Sequence, residues 1–233
     1  MIQGSGRLPA YTGGPRLSES LRMIFFDAER TRAALPFDRL VPALREAFAQ
    51  GCEVPLRHTH RWTNTEGDEL TSLLMPAWTP GRYYGVKTVN IAPGNGARGL
   101  PGLHSTYLLY SAVTGVPLAL IDGDQITARR TVAASALAAS MLARPDARRL
   151  LVVGAGRVAA LLPAAMRTVR PIEQVTVWSP RASSADATAA AWRAEGFDAV
   201  ATRDLAGAGQ QAGILSCGAP GPRAGGKGGG VQA

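Results

Sequence analysis

Cysteine is scarce in this 233-residue chain: Cys52 and Cys217 are its only two, and they stand far apart. Histidine is limited to His58, His60 and His104. No Cys/His cluster has zinc spacing, so no metal site is expected. Two unpaired thiols fit a reducing compartment, and the expected location is the cytoplasm. Long apolar runs are also missing. A membrane span takes roughly 18 consecutive apolar residues, and none is present. Met1 to Pro9 is polar and glycine-containing, unlike a secretory leader. Acidic residues are outnumbered, 17 against 25 Lys and Arg, giving a net charge of +8. No run of five or more basic residues occurs, and the few aromatics (6%) do not interleave with basic clusters. Both features would mark a nucleic-acid surface, so nucleic acid is not the expected partner. The basic balance is read instead as attraction for anionic cofactors and substrates. What is present is ordinary for a globular chain, with 46% apolar and 18% charged residues. The length suffices for one large domain or two small ones.

Residues 1–21 show little apolar periodicity and are expected to be a disordered extension. A short strand is expected at Arg22–Phe26. A helix follows over Asp38–Gln50, where Leu40, Val41, Leu44, Ala47 and Phe48 recur at helical spacing before Gly51. Val54–Trp62 and Leu70–Met75 read as strands paired across a polar turn at Asn64–Asp68. His58 and His60 would share one strand face, solvated or turned to substrate. Tyr83–Ile91 reads as a central strand carrying Lys87 between apolar neighbours. Such a lysine faces water from an edge strand or finds an anion. The segment Pro93–Gly102 contains Gly94, Gly96, Gly99 and Gly102, which permit tight turns or close backbone approach to a ligand. His104–Tyr110 and Pro117–Ile121 form a hairpin. This half is α+β with a mostly antiparallel sheet.

Asp122-Gly123-Asp124 is expected to be a turn that caps an Ala-rich helix, Gln125–Leu142. Arg129 and Arg130 lie in its first turns, where positive charge opposes the helix dipole. They are either a surface pair or holders of an anion. Arg149–Val153 is a buried strand leading into Gly154-Ala155-Gly156-Arg157-Val158-Ala159, a G-x-G-x-x-G/A turn before a helix at Leu161–Val169. In such a turn the first glycine bends the chain and the second admits pyrophosphate, which then faces the helix N-terminus. Val175–Trp178 is the second strand. The acid that usually follows it to bind a ribose 2′-hydroxyl is absent. Ser179-Pro180-Arg181 stands there instead, and this favours the 2′-phosphate of NADP, Arg181 otherwise being an ordinary surface residue. Helices over Ala182–Glu195 and Asp204–Gln211 and strands at Asp198–Ala201 and Gly213–Ser216 complete half of a Rossmann sheet. Residues 218–233 hold seven glycines and no apolar periodicity, and cannot supply the remaining strands. The expected fold class is α/β, with an incomplete Rossmann-type parallel sheet of about four strands behind an N-terminal α+β unit.

Seven linked stretches carry a resemblance: Leu74–Ala77, Gly85–Asn90, Pro93–Asn95, Gly99–Pro101, Thr127–Thr131, the Gly154–Ala159 turn and Ile214–Cys217. In this order they resemble the ornithine cyclodeaminase/mu-crystallin family over about residues 23–217. The runs GLPGLHSTYLL and IDGDQITARRT look most like its bacterial members that reduce Δ1-pyrroline-2-carboxylate and the six-membered piperideine analogue. The resemblance implies a substrate and dimerisation domain at 22–124, a connecting helix at 125–148 and a partial Rossmann domain at 149–217. It further implies a homodimer, a small cyclic imino acid as substrate, NADPH (or NADH) as cofactor and a place in proline metabolism. Arg57 and Lys87 would hold the substrate carboxylate and its vicinity, with Lys87 also the catalytic candidate. Gly102, Arg130, Gly154, Gly156, Arg157, Val158, Ser179 and Arg181 would line the cofactor. Gln is common in the family where Val158 stands, so a side-chain contact is lost there. In the cyclodeaminases a key Asp lies beyond the fourth strand, whereas this chain has neither Asp nor Glu after Cys217. The tail at 218–233 is therefore expected to be a frameshifted or truncated end of a longer reading frame. Two alternatives stay open beside a reductase: an ornithine cyclodeaminase, and a cofactor-binding protein without catalysis.

Overall fold

A computed structural model describes residues 23–218; the expected extension and almost all of the expected tail lie outside them. The first half forms one six-stranded sheet: β1 (Ile24–Phe26), β2 (His58–Thr63), β3 (Glu69–Thr79), β4 (Tyr83–Ile91), β5 (Leu103–Ser111) and β6 (Pro117–Asp122), in the order β1-β6-β5-β4-β3-β2. The pairing from β2 through β6 is antiparallel, each strand returning beside the one before it; the return from β4 to β5 contains a short 3-10 helix, Pro93–Arg98. The Asn64 turn is held by its own side chain, whose Oδ1 accepts from Glu66 and Asp68 N–H at 2.9 Å. β1 is the exception, pairing parallel with β6. Between β1 and β2 stand α1 (Ala28–Ala34) and α2 (Phe37–Gln50). The first of these has no counterpart in the sequence expectations. Its seven residues are too few for periodicity, and it starts because Asp27 accepts from Arg30 N–H at 2.8 Å.

Register sorts the sheet into two faces. Met75, Lys87 and Tyr107 stand abreast on β3, β4 and β5, so Gly85, Val89 and Ser105 share their face. That inner face is covered by helices, and Val89 and Ala119 are buried there. β4 has a strand on each side, so the edge-strand alternative for Lys87 does not hold. The outer face carries Phe25, Trp62, Trp78, Tyr84 and Tyr110. Tyr84 stacks on Tyr110 at 5.3 Å and meets Trp78 edge-on at 6.4 Å.

Asp122 caps α3 (Gly123–Leu142), accepting from Gln125 N–H at 2.7 Å. The helix therefore starts two residues before the expected Gln125. Behind it lies a four-stranded, wholly parallel sheet of β7 (Arg149–Val153), β8 (Gln174–Trp178), β9 (Asp198–Ala201) and β10 (Ile214–Cys217), ordered β10-β7-β8-β9. That is the 4-1-2-3 arrangement of half a Rossmann fold, with the crossover between its first and fourth strands. The crossovers are α4 (Arg157–Arg167), α5 (Ala182–Ala194) and α6 (Leu205–Gln211). The helix expected at Leu161–Val169 begins earlier, directly on the glycine turn.

The main core lies around α3 and this second sheet. Val132, Ala133 and Ala136 are fully buried, and the alanines let α2 and α4 pack close to α3. Trp192 of α5 is 1% exposed and donates its indole N–H to the Ala160 carbonyl at 2.9 Å. No helix among the described residues is long and apolar enough to cross a membrane. Truncating Trp192→Ala is expected to cost about 3–5 kcal/mol through cavity formation and the lost hydrogen bond. Urea unfolding measures it, and a loss below about 1 kcal/mol would place the core elsewhere.

Candidate active site

The glycine turn begins where β7 ends. Gly154 donates its N–H to the Trp178 carbonyl at 2.8 Å, so the ends of β7 and β8 are locked side by side. Its φ of 117° lies where side chains are strained, which explains glycine at this position. Gly156 is the N-cap of α4 and offers no capping side chain, so the first-turn N–H groups stay available. Nothing lies within 4 Å of where a Cβ on Gly156 would stand. The third small position, Ala159, is fully buried, with the Gly218 backbone packed on it. Open space, free N–H donors and the positive end of a helix together fit a phosphate. Arg157 is exposed at the first position of α4, while half-buried Val158 packs toward the core and turns no polar group outward. Ser179 follows β8 beside Gly154, and exposed Arg181 is the N-cap of α5.

Lys87 points from the inner face into a cationic neighbourhood. Burial, then the charge of Arg130, then that of Arg57, push its pKa below the ordinary lysine range. No carboxylate is among the groups acting on it. Arg57 immediately precedes β2, and the β2–β3 register continued by one residue places it opposite Met75, beside Lys87. The structure thus brings Arg57, Lys87 and Arg130 together from three separate elements. The two adjacent arginines of α3 have parted. Arg129 is 8% exposed, donates from Nε to the Leu35 carbonyl at 2.7 Å and lies 4.2 Å over the Phe37 ring. It fastens the α1–α2 connection, whereas Arg130 is exposed.

Three residues not singled out from sequence join this region. Tyr107, beside Lys87, leans over Gly85, where a Cβ would stand 1.9 Å from its hydroxyl. Burial, and secondarily Cys52, raise its pKa. A cavity of about 330 Å³ opens there, lined in part by Gln50, Cys52 and Arg82. Ser105 donates to Asp124 Oδ1 at 2.9 Å, and Asp124 Oδ2 lies 3.6 Å from Arg157 Nη1. The sequence offered signals for them only in part: Asp124 is already absorbed by a capping motif, and inward-facing Ser105 is legible only from strand alternation. Gly102 stands apart from the cluster. Its carbonyl accepts from Ala92 N–H at 2.9 Å, and a side chain there would meet only the Ala92 carbonyl at 3.5 Å. His58 and His60 lie exposed on the outer face, away from Lys87, so the substrate-facing option for them does not hold. Another cavity, about 280 Å³, lies by Arg149, Thr176, Val200 and Asp204, and none of Arg57, Lys87 and Arg130 lines it.

A half-Rossmann sheet with its glycine turn, joined through one helix to an antiparallel sheet, defines a dinucleotide-fold α/β protein. The sequence profile of the ornithine cyclodeaminase/mu-crystallin family matches residues 23–221, and the chain belongs to that family. It is 35% identical over 162 residues to a Δ1-pyrroline-2-carboxylate reductase of Colwellia psychrerythraea, covering 69% of this chain and 51% of that protein. A solved Δ1-pyrroline-2-carboxylate reductase of Thermococcus litoralis, in complex with NADH and L-proline, superposes with a TM-score of 0.66 at 27% identity, covering 84% of this chain and 61% of that one. A lysine cyclodeaminase, studied for recognition of L-lysine, L-ornithine and L-2,4-diaminobutyric acid, gives 0.69 at 30% identity, covering 84% and 60%. The chain spans about half the length of the curated relatives it matches.

Replacing Gly154→Ala should strain the turn by ~1–3 kcal/mol, equivalent to about 5- to 150-fold weaker dinucleotide binding. Calorimetric titration reads it, and unchanged affinity would remove the turn from the site.

Proposed function

We propose that this chain is a nicotinamide-dependent reductase of cyclic ketimines, converting Δ1-pyrroline-2-carboxylate to proline and its piperideine analogue to pipecolate. The observation that carries the reading is the cluster of Arg57, Lys87 and Arg130 on the inner face, without an opposing carboxylate at Lys87. A cyclic ketimine acid presents two groups to such a cluster. Its carboxylate pairs with Arg57, whose planar fork allows two parallel hydrogen bonds. Its imine nitrogen must gain a proton before the adjacent carbon accepts hydride. We assign that donation to the Lys87 ammonium, which burial and neighbouring charge make a stronger acid than a free lysine. The bound reduced nicotinamide supplies the hydride. Arg130 and the first turn of α4 would hold the pyrophosphate, and Gly102 would lie against the cofactor. Ser179 and Arg181, with no acid beside them, support NADPH over NADH. Two exposed free cysteines suit a reducing compartment, and we place the protein in the cytoplasm.

The cyclodeaminase neighbour supports a second reading, conversion of ornithine to proline and ammonia. Oxidation of NAD(P)H with pyrroline-2-carboxylate separates the two, because cyclodeamination consumes no net cofactor. Arg57→Ala and Lys87→Ala should each lower kcat/KM for the imino acid about 100-fold or more. If both leave the rate intact, the site assignment fails. The sign of the pH effect follows from Lys87. Its protonated form is the donor, so the rate falls as pH rises through its lowered pKa. That basic limb should begin below the ordinary lysine range and disappear in Lys87→Ala.

We further propose that two copies meet through the outer face of the six-stranded sheet. Phe25 is 58% and Trp62 45% exposed on it, beside the stacked Tyr84 and Tyr110. The double change Phe25→Glu/Trp62→Glu should convert a dimer to a monomer in light scattering. A wild-type monomer, or a dimer indifferent to both charges, would sink this interface.

A further inference from the structure

The first turn of α3 touches both the antiparallel sheet and the start of α4, the helix that follows the glycine turn. Gly123 sits so close to β5 that a Cβ would lie 2.6 Å from Ser105 C and Thr106 N. This contact fixes the next residue, Asp124, relative to the inner face. Its carboxylate is then held from two further directions. Ser105 Oγ donates to Oδ1 at 2.9 Å, and the N-terminus of α3 itself stabilises a negative charge there. The other oxygen faces Arg157 Nη1 at 3.6 Å. Arg157 has a long, half-exposed side chain at the first position of α4, and such a side chain samples many rotamers when nothing opposes it. A carboxylate tied to the antiparallel sheet restricts it.

We propose that Asp124 is a positioning residue that aims Arg157 at the dinucleotide phosphates and ties the glycine turn to the substrate-bearing sheet. The inference rests on reading the glycine turn as a phosphate site. The pair is an ion pair without a hydrogen bond, so the guanidinium keeps its donors. A guanidinium has five, enough to face a carboxylate on one side and a phosphate on another. Orientation gained before binding lowers the entropy lost when the phosphate arrives.

A double-mutant cycle on the full chain tests this, with NADPH and NADH affinity read by calorimetry. Asp124→Asn preserves the size of the side chain and its acceptor toward Ser105 but removes the charge. It should weaken dinucleotide binding about five- to tenfold, and Arg157→Ala should do so by at least as much. The double variant should be no weaker than Arg157→Ala alone. A purely structural role for Asp124 would instead lower affinity by the same factor whether or not Arg157 is present. Multiplying losses, unchanged binding or tighter binding in Asp124→Asn would therefore overturn the proposal. Ser105→Ala, which frees the carboxylate from the sheet side, takes the place of Asp124→Asn if that variant does not fold. Its loss of about two- to threefold should also vanish without Arg157. A wild-type chain that binds neither dinucleotide overturns the phosphate-site reading itself, whereas binding that survives Asp124→Asn unchanged overturns only the role of Asp124.

Discussion

Contact between α3 and β5 at Gly123 is the constraint on which the rest of the molecule hangs. The approach leaves no room for a Cβ, and it occurs at the first residue of the helix. Everything downstream inherits its direction. The alanine-rich faces of α3 then accept α2 and α4, and the parallel sheet packs behind them. A substitution at Gly123 would push on backbone, so it would tilt a 20-residue lever rather than disturb one side chain. The same seat brings Arg130 toward Lys87 and Asp124 toward the glycine turn. Fold and site therefore share one origin.

Charge is distributed with equal economy. Arg129 and Arg130 are consecutive on a helix, so their side chains point about 100° apart. One is consumed by a backbone carbonyl and an aromatic ring, and its neighbour stays at the surface beside Lys87. The cationic cluster is assembled from the segment before β2, from β4 and from α3, so no short motif contains it. Its members meet only after two hairpins and a helix have formed.

The fold class was legible because its signals are periodic: alternation in β4 and β5, a buried strand before a glycine turn, and helices between later strands. Features without a period were not. The seven-residue α1 depends on one Asp cap, and the parallel pairing of β1 with β6 depends on partners nearly a hundred residues apart. Lys87 was conspicuous as a lysine among β-branched neighbours, but its interior position needed the strand order. Arg129 and Arg130 could not be told apart, since helical phase relative to α1 and α2 decides which is buried. Asp124 was hidden by the neighbouring Asp122, because a DGD sequence reads fully as a cap and leaves no charge to explain. Val158 was readable as a lost polar contact, and its packing against the core accounts for the apolar choice.

The crowd of cations around Lys87 has a practical side. Positive groups held close together without a carboxylate among them repel one another, and any small anion relieves that repulsion. Sulfate, inorganic phosphate or a simple carboxylic acid would thus act as a counter-ion to the empty protein, raising its melting temperature while competing with larger ligands. An anion in the buffer would then bear on stability and on ligand affinity at once, in opposite directions.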